Sequence, residues 1–321
     1  MPADHLTIAP PYQLANGVLQ ILAGADVEAA AAETGVDPGD LHESLQVYQA
    51  AGLTALERRA DTHWYQVRVQ FADWSTAETI GATQLGPRLD ELQAGGAVAG
   101  WWFLRKHPCW RLRLYGADTT AVDHVLDELT AAGLLTRWWP TVYEPETAAF
   151  GGAAGMGAAH DLFCADSRGV LDYARRSEPG LGRRELSILL ISALMRAAGL
   201  DWFERGDVFD RVARLRPTPD VGDARLEELA GRLCPLLASS VPADSPLLAP
   251  GGPIAFAVPW LAAYQAAGHR LGDAATQGRL DRGVRAVLTH AVIFHWNRFG
   301  LSATTQGVLA HAASTAILPR S

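Results

Sequence analysis

The sequence predicts an α+β protein in which a βαββαβ sheet of antiparallel type is followed by a largely helical half. Two observations support this prediction. Residues 63–145 hold four segments typical of strands, of which "HWYQVRVQF" and "WRLRL" alternate between polar and apolar side chains, and two helical segments lie between them. Residues 158–315 have apolar side chains at helical spacing along most of their length. We therefore expect a split βαβ arrangement in residues 61–321, preceded by a helical extension in residues 1–60.

Composition excludes several classes of function. The chain has 321 residues, 49% of them hydrophobic, and a net charge of −8, which argues against a surface for nucleic acid. The scattered cysteines form no CxxC pair, which argues against a zinc site and fits the cytoplasm. We find neither a signal peptide nor an apolar run long enough to span a membrane. We therefore expect a cytoplasmic protein with no nucleic-acid or membrane partner.

The extension is predicted to contain three helices. Leu14, Val18 and Leu22 recur at helical spacing before Gly24, and further helices follow on either side of a turn that ends at Pro38. This order is similar in outline to a helix-turn-helix, but residues 40–51 contain acidic side chains and no Lys or Arg. We expect a packing or docking unit instead.

The sheet segments follow in order. In "HWYQVRVQF", polar and apolar residues alternate from His63 to Phe71, which predicts a half-buried strand. A helix is predicted up to about Gln93, and "GWWFLRK" and "WRLRLYG" are predicted to form two strands joined at Pro108. A second helix, ending at Gly133, leads to a fourth strand in "LLTRWWPTVYEPE".

A glycine-rich stretch, "FGGAAGMG" at residues 150–157, separates the sheet from the helical half. It lacks the GxxxxGK[ST] pattern, and no acidic residue follows at the position that dinucleotide binding requires. We therefore interpret it as a flexible connection.

Two places in the sequence combine polar groups suited to a site. Arg111 and Arg113 lie on one face of a strand, because side chains alternate, and paired guanidinium groups bind carboxylates well. A salt-bridge ladder to neighbouring strands is the alternative. Near the C-terminus, His295 and Arg298 are three residues apart and share a helix face. A lone histidine in an apolar helix is more often structural than catalytic, so both interpretations stay open.

Five motifs in the same order resemble a known family. "WYQVRVQFADW", "WWFLRKHPCWRLRLYG", "VYEPETAAFGG", "HDLFCADS" and "FHWNRFG" are similar to motifs of the thiopeptide-type bacteriocin biosynthesis domains. These domains are stand-alone relatives of the small elimination domain of class I lanthipeptide dehydratases. The resemblance covers about residues 63–315 and leaves the role of residues 1–60 open.

The resemblance implies one of two activities. Elimination domains expel glutamate from glutamylated Ser or Thr, whereas pyridine synthases join two dehydroalanines by a formal [4+2] aza-cycloaddition, with loss of water and of the leader peptide. Elimination domains have an arginine and a tyrosine where this chain has Ala149 and Phe150, although Glu146 is kept. The motif therefore favours pyridine formation. Glutamate elimination and a non-catalytic leader-binding scaffold are the alternatives.

The resemblance also implies residue roles and partners. His295 is the first candidate general acid or base, and Tyr264 is the second. The expected substrate-binding residues are Arg111, Arg113, Trp110, Trp102, Glu146, Asn297 and Arg298. We expect no metal or organic cofactor. The expected partner is a leader-bearing, dehydrated, azole-containing precursor peptide, and other enzymes of the pathway are further candidates.

Overall fold

The computed structural model describes residues 9–61, 63–217, 220–239 and 245–318. Contacts between residues divide the chain into two compact units, Met1–Ala60 and Asp61–Ser321.

The first unit is helical, as predicted. It contains α1 (Pro11–Leu22), α2 (Val27–Thr34) and α3 (Pro38–Asp61). Asp26 caps α2, because its carboxylate accepts hydrogen bonds from the backbone amides at the start of that helix. The buried core of the unit is small and comprises Val18, Ala30, Ala31, Val36 and Leu41.

The sheet of the second unit confirms the predicted βαββαβ order. Its strands are β1 (Trp64–Phe71), β2 (Gly100–Lys106), β3 (Cys109–Tyr115) and β4 (Leu135–Thr141). They lie in the order β2-β3-β1-β4, and each neighbouring pair is antiparallel. Strand β2 is therefore an edge strand.

The helices between the strands cover one face of the sheet. They are α4 (Ala77–Ile80), a π-helical turn (Gly81–Leu85), α5 (Gly86–Ala94) and α6 (Thr119–Ala131). The single helix predicted before Gln93 is thus interrupted by a π-helical turn. Gly81 is required there, since a Cβ atom would lie 2.5 Å from the indole of Trp110.

The second half is helical, as predicted. Its α-helices are α7 (Ala153–Ala174), α8 (Arg183–Ala197), α9 (Trp202–Arg214), α10 (Asp223–Ala238), α11 (Val258–Thr276), α12 (Val284–Arg298) and α13 (Ala303–Ile317).

The interpretation of the glycine-rich stretch as a flexible connection is wrong. Gly151 and Gly152 have φ angles of 78° and 90°, which favour glycine, and α7 begins immediately after them. Within α7, a Cβ atom at Gly155 would lie 1.8 Å from the carbonyl oxygen of Phe150. The glycines therefore permit a sharp turn and a close approach of the backbone.

This contact gives the first prediction. Gly155→Ala is expected to lower the free energy of unfolding by about 1–3 kcal/mol, because the methyl group overpacks the turn. Gly231→Ala is the matched control, since a Cβ atom there, also within a helix, meets nothing within 4 Å. That change should stabilise by about 0.5–1 kcal/mol, as alanine normally does in a helix. Urea unfolding of both variants provides the measurement, and equal effects would contradict the packing argument.

Two helices close the free edge of β2. The amide of Phe103 donates to the hydroxyl of Ser167 at 3.1 Å, and Nε of Arg298 donates to the carbonyl of Phe103 at 2.9 Å. Strand β2 thereby obtains partners for backbone groups that an edge strand leaves unpaired. The same contacts bring α7 and α12 together beside the sheet.

The register assigns each strand residue to a face. Trp102 pairs with Arg113, which pairs with Gln66, so these three side chains share the face away from α4–α6. Trp101 and Trp110 lie on the opposite face, where the indole of Trp101 donates to Asp90 of α5 at 3.2 Å.

Candidate functional site

A buried carboxylate holds the polar side chains of three helices together. Asp166 of α7 is 0% exposed. One of its oxygens accepts from the indole of Trp260 at 2.9 Å, from the hydroxyl of Tyr264 at 2.8 Å and from Nδ1 of His295 at 2.9 Å. The other oxygen accepts from the guanidinium of Arg298. Such saturation with donors is what a buried charge requires.

The surroundings of Asp166 favour its ionised form. Burial on its own would raise the pKa of Asp166, but His295 and Arg298, with hydrogen bonds from His295 and Tyr264, lower it to about 2. The carboxylate is therefore ionised at neutral pH and neutralises Arg298. Burial and Asp166 raise the pKa of Tyr264 well above its ordinary value, so its hydroxyl stays protonated and is a donor.

These hydrogen bonds assign the tautomer of His295. Because the hydroxyl of Tyr264 is a donor to Asp166, Nδ1 of His295 carries a proton that is also donated to the carboxylate. In a neutral imidazole the lone pair is then on Nε2, which is buried with no hydrogen-bond partner in the described part of the chain. In this arrangement a carboxylate orients the imidazole and leaves the second ring nitrogen free, which suits the imidazole to act as a general base.

A second polar group lies on the sheet. Arg113 is 2% exposed, and its Nε donates to the side-chain oxygen of Gln66 at 2.7 Å. Its guanidinium carbon lies 4.1 Å from the ring centre of Trp102 and 4.6 Å from that of Tyr143. Burial is the main cause that lowers the pKa of Arg113, to about 10, so the side chain remains charged at neutral pH.

The two groups meet at one tryptophan. The guanidinium carbon of Arg298 lies 5.5 Å from the ring centre of Trp102, the same ring that Arg113 contacts. Tyr143 is in hydrogen-bond contact with His160 at 2.8 Å, and burial followed by the charge of Arg113 lowers the pKa of His160 to about 4. His160 is therefore neutral at physiological pH.

Both tryptophans that are expected to bind substrate, Trp102 and Trp110, are buried. Trp102 is 0% exposed and lies against guanidinium groups. Trp110 is 1% exposed on the opposite face of the sheet, stacked on Phe103 with 4.3 Å between ring centres. Neither indole presents a free ring face, because helices cover both sides of this part of the sheet.

The remaining expected residues occupy three different places. Arg111 is half-exposed on the same sheet face as Arg113. Glu146 is half-buried and raises the pKa of Arg113 through its charge. Asn297 accepts from the side-chain amide of Gln306 on α13 at 2.9 Å, away from the buried carboxylate. The structure thus brings His295, Tyr264 and Arg298 into one group with Asp166, and it leaves Asn297 and Trp110 outside.

Asp166 is the residue that sequence reasoning missed. It lies within the quoted motif "HDLFCADS", but a signal was also present in the spacing. Leu162 and Val170, four residues to either side, are apolar and buried, so the acidic side chain lies on the core face of its helix. An acidic residue on such a face needs buried partners. Which partners it has could not be read from spacing.

Two further observations concern metal ions and membranes. In residues 9–61, 63–217, 220–239 and 245–318, no three His, Cys, Asp or Glu side chains are grouped to hold a metal ion. Within these same ranges, every helix is too short or too polar to cross a membrane.

The fold and these motifs agree with comparisons to known proteins. The family model described as "Lantibiotic biosynthesis dehydratase C-term" matches residues 64–317. The chain therefore belongs to the family of lantibiotic dehydratase C-terminal domains. No curated protein matches the sequence.

Three solved structures share the fold. The tRNA-dependent lantibiotic dehydratase MibB from Microbispora sp. 107891 is 18% identical, with a TM-score of 0.59 over 79% of this chain and 28% of MibB. The pyridine synthase TbtD from thiomuracin biosynthesis is 16% identical, with a TM-score of 0.57 over 79% of this chain and 97% of TbtD. TsrL is 18% identical, with a TM-score of 0.52 over 80% of this chain and 99% of TsrL. The match thus spans just over a quarter of the dehydratase and nearly all of the other two proteins.

Proposed function

We propose that this protein forms a pyridine ring in a ribosomally made peptide. The substrate is a leader-bearing, azole-containing precursor with two dehydroalanines. A formal [4+2] aza-cycloaddition joins them and closes a macrocycle. Loss of water and of the leader peptide as its amide then makes the ring aromatic. Most of the acceleration comes from holding the two dehydroalanines in alignment.

The observation that carries this proposal is the apolar character of positions 149 and 150. The resemblance to elimination domains places an arginine and a tyrosine there. In this structure Ala149 packs against the hydrophobic core, and Phe150 is 0% exposed against Phe163 and Phe294. The arginine that would hold a departing glutamate is thus replaced by a methyl group, which removes a charge-assisted contact of roughly 1.5–3 kcal/mol.

The buried carboxylate group supplies the proton transfers in this proposal. Nε2 of His295 accepts a proton as an amide becomes its iminol tautomer, and it returns protons during the loss of water and leader amide. Tyr264 and Asp166 hold the imidazole in the required tautomer. Because Nε2 is buried, the proposal requires the side chains that cover it to move when the peptide enters.

A second candidate, glutamate elimination, is favoured by a different arginine. The guanidinium of Arg282 donates to the carbonyl oxygen of Ala149 at 3.3 Å, so a cation does lie beside the altered motif. In that reaction a base removes the α-proton of a glutamylated residue, the Cβ–O bond breaks and glutamate departs. The other alternative is the leader-binding scaffold, which the burial of His295 favours.

One assay separates the three candidates. Purified protein is incubated with a leader-bearing, azole-containing peptide that has two dehydroalanines, and separately with a glutamylated peptide, and the products are identified by mass spectrometry. Pyridine formation predicts a macrocycle and a released leader amide from the first peptide. Release of glutamate from the second peptide, with the first untouched, would establish the eliminase. Binding of the leader without either product would establish the scaffold.

Arg113→Ala is expected to raise the KM for the dehydrated peptide by roughly 10–150-fold, because the proposal requires the peptide to displace the side chains that cover this buried guanidinium and then to contact it. The turnover number should change less. Arg225→Ala is the control, since Arg225 is exposed on α10. Steady-state kinetics provide the measurement, and thermal unfolding verifies that the variant is folded. A loss confined to kcat would contradict a positioning role for Arg113.

A further inference from the structure

An open row of side chains crosses the sheet beside the buried groups. Leu104 of β2 is in register with Arg111 of β3, Arg111 with Arg68 of β1, and Arg68 with Trp139 of β4. Residues in register share a face, so all four side chains lie on the face that carries Arg113. Arg68, Arg111 and Trp139 are half-exposed. The part of the row formed by these three residues is accessible, whereas Leu104 is buried, as is Trp102 in the neighbouring row.

The two arginines of this row are a costly arrangement without a ligand. Like charges directly opposite each other in an antiparallel pair destabilise a sheet. Among the described residues, neither Arg68 nor Arg111 has a salt-bridge or hydrogen-bond partner, and Nε of Arg68 is buried without one. Their in-register neighbours, Leu104 and Trp139, carry no charge. The row therefore offers guanidinium donors in a position where the described part of the chain supplies no acceptor.

A third cation extends the row along the strands. Arg137 of β4 is in register with Gln70, two residues after Arg68 on β1, and its guanidinium carbon lies 4.8 Å from the ring centre of Trp139. Two residues along a strand correspond to roughly 7 Å, which is also the spacing of alternate side chains in an extended peptide. These cations lie on one face of the sheet, although the net charge of the whole chain is −8.

We propose that Arg68 and Arg111 form a carboxylate-binding subsite for an acidic segment of a peptide, which lies extended over the open face of the sheet. Each guanidinium can bind a carboxylate through two parallel hydrogen bonds. A second carboxylate two residues further along the peptide reaches Arg137. The identification of this peptide as a substrate rests on the proposed function, whereas the subsite itself rests on the sheet geometry.

Binding of fluorescently labelled poly-L-glutamate, followed by anisotropy, tests the subsite without any turnover. Arg68→Gln is expected to weaken binding about tenfold, because one charge-assisted contact is lost. Arg225→Gln changes the net charge equally at an exposed position on α10 and should leave the affinity unchanged. Equal losses in both variants would show that only net charge matters and would overturn the proposal.

The melting temperature of the free protein supplies a second test, in which Arg68→Gln is expected to cause a gain and not a loss. Arg68→Gln should raise the melting temperature in the absence of poly-L-glutamate, since it relieves the repulsion with Arg111. A structural role for Arg68 would lower the melting temperature and overturn the proposal.

Tighter binding of polyuridylate than of poly-L-glutamate would also overturn the proposal, because it would identify this face of the sheet as one that binds RNA. Failure of these tests would not contradict the proposal of pyridine formation. Failure of the assay for pyridine formation would not contradict the carboxylate-binding subsite.

Discussion

Replacing His295 with alanine is expected to lower the turnover number on the dehydrated peptide by about 10²–10⁴-fold, the usual contribution of one general acid or base. Binding of the peptide should change little, because His295 is held by Asp166 and Tyr264 and not by the sheet that carries Arg113. Single-turnover mass spectrometry, with the peptide affinity measured separately, distinguishes the two effects.

A histidine on the same helix provides the control for this experiment. His290 of α12 is half-buried, and its Nδ1 lies 3.0 Å from the carbonyl oxygen of Ala286 within the helix. His290→Ala should therefore retain nearly all the turnover. If His295→Ala forms the macrocycle at the wild-type rate, the imidazole is structural, and Tyr264→Phe becomes the variant to measure.

Asp166→Asn is expected to lower the free energy of unfolding at pH 7 by about 3–5 kcal/mol. The amide has nearly the shape of the carboxylate, but it leaves the guanidinium of Arg298 buried without a counter-charge. Urea unfolding measures the change. Asp161→Asn is the control on the same helix, because Asp161 pairs with Arg270 at the surface, where ion pairs contribute about 0–1 kcal/mol.

The effect of Asp166→Asn should also depend on pH in a defined direction. The pKa of Asp166 is lowered in the folded state from its ordinary 3.8 to about 2. The carboxylate therefore stabilises the fold above about pH 4, and this stabilisation is lost as the pH falls towards 2. The difference between wild type and variant should shrink through that window. A difference that stays constant from pH 5 to 2 would show that the charge of Asp166 is not its cause.

Much of the fold follows from local patterns. Alternation from His63 to Phe71 and in "WRLRL" predicts strands, because side chains of a strand point to opposite faces in turn. Helical spacing predicts the second half for a similar reason. The prediction that residues 150–157 form a flexible connection depended on glycine composition and was wrong. Gly151 and Gly155 permit a turn and a close packing contact, and composition cannot distinguish this from flexibility.

The contacts within the candidate site could not be predicted from local sequence patterns. The sequence by itself identified His295, Arg298 and Arg113 as polar groups in apolar surroundings, and the order of motifs related them to one family. Only the tertiary structure joined His295 to Asp166, which are 129 residues apart, and paired Arg68 with Arg111 across two strands. The physical reason is that spacing specifies which face of an element a side chain occupies. Which partner a buried polar side chain has depends on how elements distant in sequence pack together. A buried charge is stable only where this packing supplies an opposite charge or hydrogen-bond partners.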